Sequence, residues 1–225
     1  MRGESEVAQF AASMGEQFGE DDPTGDYYTQ CYEAGVPRTF WDIRRDDVRY
    51  NVEPFRSVVC RYVARRRRAL RHGYSLLLLG DNGCGKTMFM AYVLTQVIRR
   101  GNTAYYTTLA QLDVDIKRGF KDGEAEGRLN DLLGSDFVAI DEIGKEHYRA
   151  DSYLNTRLEL LMKQRYDDGE PMLMGTNLDF GTLCEMYGAS MTSMWEGKYQ
   201  RVTLESGDFR RSVSSKMRRD MGYGS

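Results

Sequence analysis

At 225 residues, 41% of them hydrophobic, the chain can bury a full core and suits one domain of moderate size with flanking segments. Its 31 Lys and Arg against 34 Asp and Glu, and a net charge of −3, exclude a generally basic protein, so any nucleic-acid contact has to come from local patches. Cys31, Cys60, Cys84 and Cys184 form no Cys-x-x-Cys pair, which argues against a zinc site and a disulfide framework. No apolar run reaches the roughly 18 residues of a spanning helix, and the start is acidic rather than an export signal, so a cytoplasmic protein without membrane contact is expected.

Residues 1–26 carry Glu4, Glu6, Glu16, Glu20, Asp21 and Asp22 among glycines and read as an acidic mobile arm, with a weak helix over Val7 to Phe18 that offers a partner contact. Order is expected from Tyr27. The aromatic run through Tyr28, Tyr32, Phe40 and Trp41 surrounds a Gly35-Val36-Pro37 break, which predicts a short helix ending at Gly35 and an extended segment packed on the core. Pro54 then opens a helix to about Arg71 that buries Phe55, Val59, Tyr62, Val63 and Leu70. Arg61, Arg65, Arg66, Arg67, Arg68 and Arg71 crowd its second half. They fit either a solvated basic face at a helix end or a contact with a phosphate backbone or partner.

The apolar run Leu76 to Leu79 predicts a buried strand, broken by Gly80, Asp81, Asn82, Gly83, Cys84 and Gly85 before helical spacing resumes at Lys86, Thr87 and Met88. Gly-x4-Gly-Lys-Thr between strand and helix is a P-loop: its backbone N–H groups and the helix dipole cradle phosphates. Lys86 is expected on the β- and γ-phosphates of ATP and the Thr87 hydroxyl on Mg²⁺. A helix to Arg100, a strand over Thr103 to Thr107 and a helix over Leu109 to Phe120 follow. Lys117, Arg118 and Lys121 around Phe120 are a candidate contact for single-stranded nucleic acid.

Asp136 to Glu142 reads as a buried parallel strand whose acids stand at the carboxyl edge of the sheet, where ligands of such sheets bind. Asp141 is placed to hold Mg²⁺ and Glu142 to polarise an attacking water. Asp151 caps a helix that buries Leu154, Leu158, Leu161 and Met162, with Arg157, Lys163 and Arg165 off that stripe. Pro171 to Asn177 forms a further strand, whose terminal Asn177 orients the lytic water, senses the γ-phosphate or simply forms a turn.

Taken together, these motifs resemble the AAA+ ATPases, and within them the DnaC/DnaI helicase loaders and the IstB transposition helpers. The resemblance runs from about Tyr27 to Arg211 and rests on Glu33 to Trp41, the P-loop, Ile140 to Glu146, Gln164-Arg165-Tyr166, Gly175 to Leu178, and Gly207-Asp208-Phe209-Arg210. It implies an α/β P-loop AAA+ core over residues 27–211, a doubly wound parallel sheet with helices on both faces, without a full helical lid and with a basic tail over 212–225. It further implies self-association into a ring or spiral with ATP between subunits, single-stranded DNA inside, Arg210 as a γ-phosphate sensor, and a replicative helicase or transposase as partner. The family's arginine finger falls at Ser193, Met194 and Trp195, where no arginine stands, leaving Lys198 and Arg201 as the nearest cations. Slow or partner-stimulated hydrolysis is one expectation, and a nucleotide-binding scaffold or a small-molecule kinase the alternatives.

Overall fold

The computed structural model describes residues 25–48, 51–119, 122–144 and 152–205. Helix α1 spans Gly25–Glu33 and is followed by two 3-10 turns, Arg38–Phe40 and Arg45–Asp47. A helical stretch then runs through α2 (Val52–Pro54), a π-helical segment (Phe55–Cys60), α3 (Arg61–Ala64) and α4 (Arg66–His72). Strand β1 (Ser75–Leu79) leads into α5 (Lys86–Ile98), β2 (Ala104–Thr108), α6 (Leu109–Arg118), α7 (Gly123–Gly134) and β3 (Phe137–Ile143). Helix α8 (Ser152–Asp168), β4 (Met172–Thr176), α9 (Phe180–Lys198) and β5 (Tyr199–Thr203) complete the described chain.

The five strands form one sheet in the order β2-β3-β4-β1-β5, with every pairing parallel. A parallel sheet is covered on both faces, and strand side chains alternate between faces, which is why β1 needs an uninterrupted Leu76 to Leu79. Leu76 and Leu78 join the layer packed against α5 and the amino-terminal segment. Leu77 and Leu79 join the layer shared with α6, α8 and α9, around Leu158, Leu183 and Trp195. Tyr27, Tyr28 and Trp41 are buried in the first layer and Phe40 packs against it, so most of the early aromatics serve the core, while Tyr32 is exposed.

Three expectations change here. The helix from Pro54 is not continuous: it passes through π-helical turns and breaks at Arg65, whose φ of −106° and ψ of 19° leave the helical region. The segment after Gly35 coils into 3-10 turns instead of running extended. Arg165, expected off the buried stripe of its helix, is fully buried, because carbonyls from several other elements converge on it. The arm up to Thr24, Asp151, Phe120, Lys121, Arg210 and the tail lie outside the described residues.

Candidate nucleotide site

Strands β1, β4 and β3 are neighbours, and the pairs Leu79 with Thr176 and Thr176 with Ile143 bring their carboxyl ends level. Loops leaving those ends therefore meet at one rim. The loop after β1 needs glycine at its first turn: Gly80 has φ of 146°, and a Cβ there would stand 2.5 Å from the Leu204 carbonyl oxygen. Gly83 and Gly85 also hold positive φ, and Gly85 caps α5 at Lys86.

Lys86 is buried, 7% exposed, and its Nζ donates to the carbonyl oxygens of Gly80 at 2.6 Å and Asp81 at 2.9 Å and to Asn177 Oδ1 at 2.7 Å. These three acceptors are neutral oxygens. The Asn177 amide in turn donates to Asn82 Oδ1 at 3.0 Å, so the tips of the β1 and β4 loops are tied through Asn177.

Beside them, Thr87 Oγ1 donates to Asp141 Oδ2 at 2.5 Å, and the half-buried Tyr106 hydroxyl donates to the same oxygen at 3.2 Å. Asp141 Oδ1 accepts from the Glu142 backbone N–H at 2.7 Å. Burial, and then Asp141, hold the Tyr106 phenol above its ordinary pKa, so it remains a donor. At Glu142 the pairing of β3 with β4 slips, and Glu142 takes a left-handed φ of 64°. That bulge breaks the strict alternation that would send adjacent acids to opposite faces, at a backbone cost of about 1–3 kcal/mol.

Lys86, Thr87, Asp141 and Asn177, expected from the sequence to work together, thus share one rim, with Glu142 next in chain. Asp81 and Asn82 lie in the loop itself. The side chains of Met88 and Cys84 are packed in the core, so a phosphate would meet only their main chain. Tyr106, Asn51 and the part Gly175 plays beside Asp141 were not foreseen. Gly175 lies against Asp141, where a Cβ would collide with Oδ1. Asn51 donates to the P-loop carbonyl of Cys84 at 3.1 Å and accepts from the Glu205 N–H at 2.9 Å, bridging the loop to the segment after β5. The one local signal for it is the residue type: Asn tolerates the left-handed conformation, which Asn51 takes ahead of α2 with φ of 51°.

The finger position is different in character. Met194 and Trp195 are buried in α9, with Trp195 Nε1 donating to Met174 Sδ at 3.5 Å. Lys198 lies 4.1 Å from the centre of the Tyr166 ring and donates to the Tyr166 carbonyl at 2.6 Å. Arg201 stacks on Phe180 at 4.2 Å and lines an opening of about 590 Å³ together with Gly80, Asp81 and Asn177 of its own chain. Lys117 is paired with Asp113 at 2.6 Å. Among the described residues no helix is long and apolar enough to cross a membrane.

Residues 66–195 match the family described as IstB-like ATP binding protein. An ATP-binding protein of insertion sequence IS5376 from Geobacillus stearothermophilus is 27% identical over 117 residues, 52% of this chain and 45% of the relative. An insertion sequence IS21-like ATP-binding protein from Bacteroides fragilis is 31% identical over 74 residues, 33% and 37% of the two chains. The chain thus spans less than half the length of these curated relatives. Among solved structures, the DnaC helicase loader superposes with a TM-score of 0.65 at 18% identity, covering 75% of this chain and 99% of that one. The replication initiator DnaA bound to AMPPCP and single-stranded DNA gives 0.62 at 12%, covering 84% and 57%. At such identities the likeness is one of fold, and it bears out the parallel P-loop AAA+ architecture.

Proposed function

Since the chain belongs to the IstB-like ATP-binding family, we propose that the rim around Lys86 binds ATP with Mg²⁺ and hydrolyses it, as the switch of a DNA accessory protein. The observation that carries this reading is the Lys86 ammonium, buried yet held, among the described residues, by three neutral oxygens and the Cys84 sulfur. A buried cation without a counter-charge is costly, and a polyphosphate supplies that charge. Thr87 and Asp141 form a hard-oxygen pair suited to Mg²⁺, which would offset charge building on the phosphates. Asp141 is held in place by Thr87, Tyr106 and the Glu142 N–H. Asn177 releases Lys86 towards the phosphates and, with Glu142, orients the attacking water. With Met194 where a finger arginine belongs, hydrolysis is slow until a partner or a shifted cation completes the site, and Arg201 faces its own chain's opening.

The accessory role is of the helicase-loader type: ATP between adjacent subunits favours assembly, the assembly grips single-stranded DNA and a replicative helicase, and hydrolysis loosens the grip. A second reading, a transposition helper acting on duplex DNA for a transposase, is favoured by the names of the two curated relatives. Nucleotide binding and phosphate release measured with and without each kind of DNA test both. Lys86→Ala should weaken ATP binding at least about tenfold, and Glu142→Gln should bind ATP while releasing phosphate roughly a hundredfold more slowly. Stimulation by single strands supports the loader and by duplex the transposition helper. Full ATP affinity in Lys86→Ala would overturn the site, and a monomer in every nucleotide state would overturn catalysis between subunits.

A further inference from the structure

At the other end of β1, the broken helix and the amino-terminal ends of β1 and β5 enclose a cleft of about 710 Å³, well within the ~300–1,000 Å³ of ligand-sized pockets. Arg61, Arg65 and Arg68 line one wall and Lys198 the other, with Tyr74 at the edge, and among the described residues no acidic one lines it. The three arginines are exposed, and among the described residues none is paired with a carboxylate. Such a concentration of charge exceeds what capping one helix needs. Spaced four and three residues apart along one wall, the arginines form a ladder rather than a point.

We propose that this cleft is a second phosphate-binding site, on the opposite rim of the sheet from Lys86, and that it takes the backbone of a single nucleic-acid strand. A ladder of cations suits a chain of regularly spaced charges, and planar guanidiniums pair with phosphates in bidentate fashion. A recess admits one strand more readily than the wide cylinder of a duplex. Tyr74, 44% exposed and stacked 5.2 Å from His72, offers a ring on which a base can lie. This proposal does not depend on the nucleotide reading: neither the three arginines nor Tyr74 belongs to the Lys86 rim, and Lys198, a candidate for the finger, is held here on Tyr166.

The test is anisotropy of a labelled oligothymidylate of about 20 nucleotides with the full chain, titrated with salt. The triple variant Arg61→Gln, Arg65→Gln, Arg68→Gln should lose at least about tenfold in affinity near 0.1 M salt, and its log–log salt slope should flatten by about 2, at roughly 0.7 per phosphate contact. Tyr74→Ala should lose about fivefold or more with the slope unchanged. ATP-analogue affinity, unaltered in both variants, certifies the fold; Lys86→Ala should lose nucleotide and keep the oligonucleotide. Wild-type oligonucleotide affinity in the triple variant, or a nucleotide-competent wild type that binds no oligonucleotide, would overturn the proposal. So would equal arginine-dependent affinity for duplex. Displacement by polyglutamate at matched charge, with Tyr74→Ala silent, would reassign the cleft to an acidic protein segment.

Discussion

Tolerances are narrow around the Asp141 carboxylate. Its oxygens receive Thr87, Tyr106 and the Glu142 N–H, and Gly175 on the adjacent strand leaves the space in which it sits. A methyl added at Gly175 would collide with Asp141 Oδ1 and stand 2.9 Å from Met90 Cε. The methionine tip can yield, whereas the carboxylate is held from three sides. Gly175→Ala should therefore displace Asp141, costing about 1–3 kcal/mol of stability through overpacking. It should also weaken ATP binding in the presence of Mg²⁺ about tenfold while leaving binding in EDTA nearly as in wild type. Calorimetry with and without the metal reads this directly, and an unchanged dependence on Mg²⁺ would show that Asp141 tolerates the methyl. Lys86, Thr87 and Asp141 were legible in the sequence because loop spacing and a buried strand are local signals. The parts of Gly175 and Tyr106 were not, because each residue acts on a carboxylate carried by another strand.

Among the elements, α8 owes its seat to a residue that helical periodicity misassigns. Arg165, fully buried, donates to the carbonyls of Leu132 at 3.3 Å and Leu133 at 3.4 Å, at the end of α7, and to those of Ser135 at 2.9 Å and Asp136 at 3.4 Å before β3. It also donates to the Pro171 carbonyl at 3.3 Å, ahead of β4, and pairs with Glu170 at 2.9 Å. One guanidinium thus fastens the entrances of two central strands to the end of a helix, a task its planar fork performs and an ammonium does not. Arg165→Met should cost on the order of 3 kcal/mol by leaving buried carbonyls unpaired, and Arg165→Lys should recover little of it. Urea unfolding checks this, and a methionine variant with the wild-type midpoint would refute it. The strands were readable because both faces of a parallel sheet demand apolar runs. Helix α7 was not, since Ala125 and Leu132 are its only buried residues and give no period to read. The π-helical segment escaped notice too, because apolar spacing does not distinguish it from an α-helix.

At the scale of the whole molecule, the parallel sheet separates two anion-seeking rims. The P-loop, the β3 acids and Asn177 occupy the carboxyl ends of the strands, while the arginine ladder flanks the amino ends of β1 and β5. A five-residue strand is about 17 Å long, so charges at the two ends lie beyond a Debye length of roughly 8 Å at physiological salt and interact little through solvent. Any coupling between nucleotide and strand binding must then travel through packed matter, and the direct link is β1, buried along its length between β4 and β5, where close packing leaves little room for a shift. Nucleotide and oligonucleotide should consequently stabilise one subunit additively. At a hundredfold excess over its Kd each ligand contributes about 2.7 kcal/mol, and together they should give about twice that. Thermal melting at low protein concentration, with an ATP analogue, oligothymidylate or both, measures the sum. A combined stabilisation exceeding it by more than about 1 kcal/mol would show that the rims communicate, and repeating the melt at higher protein concentration would tell whether the link runs within a subunit or across an assembly that ATP brings together.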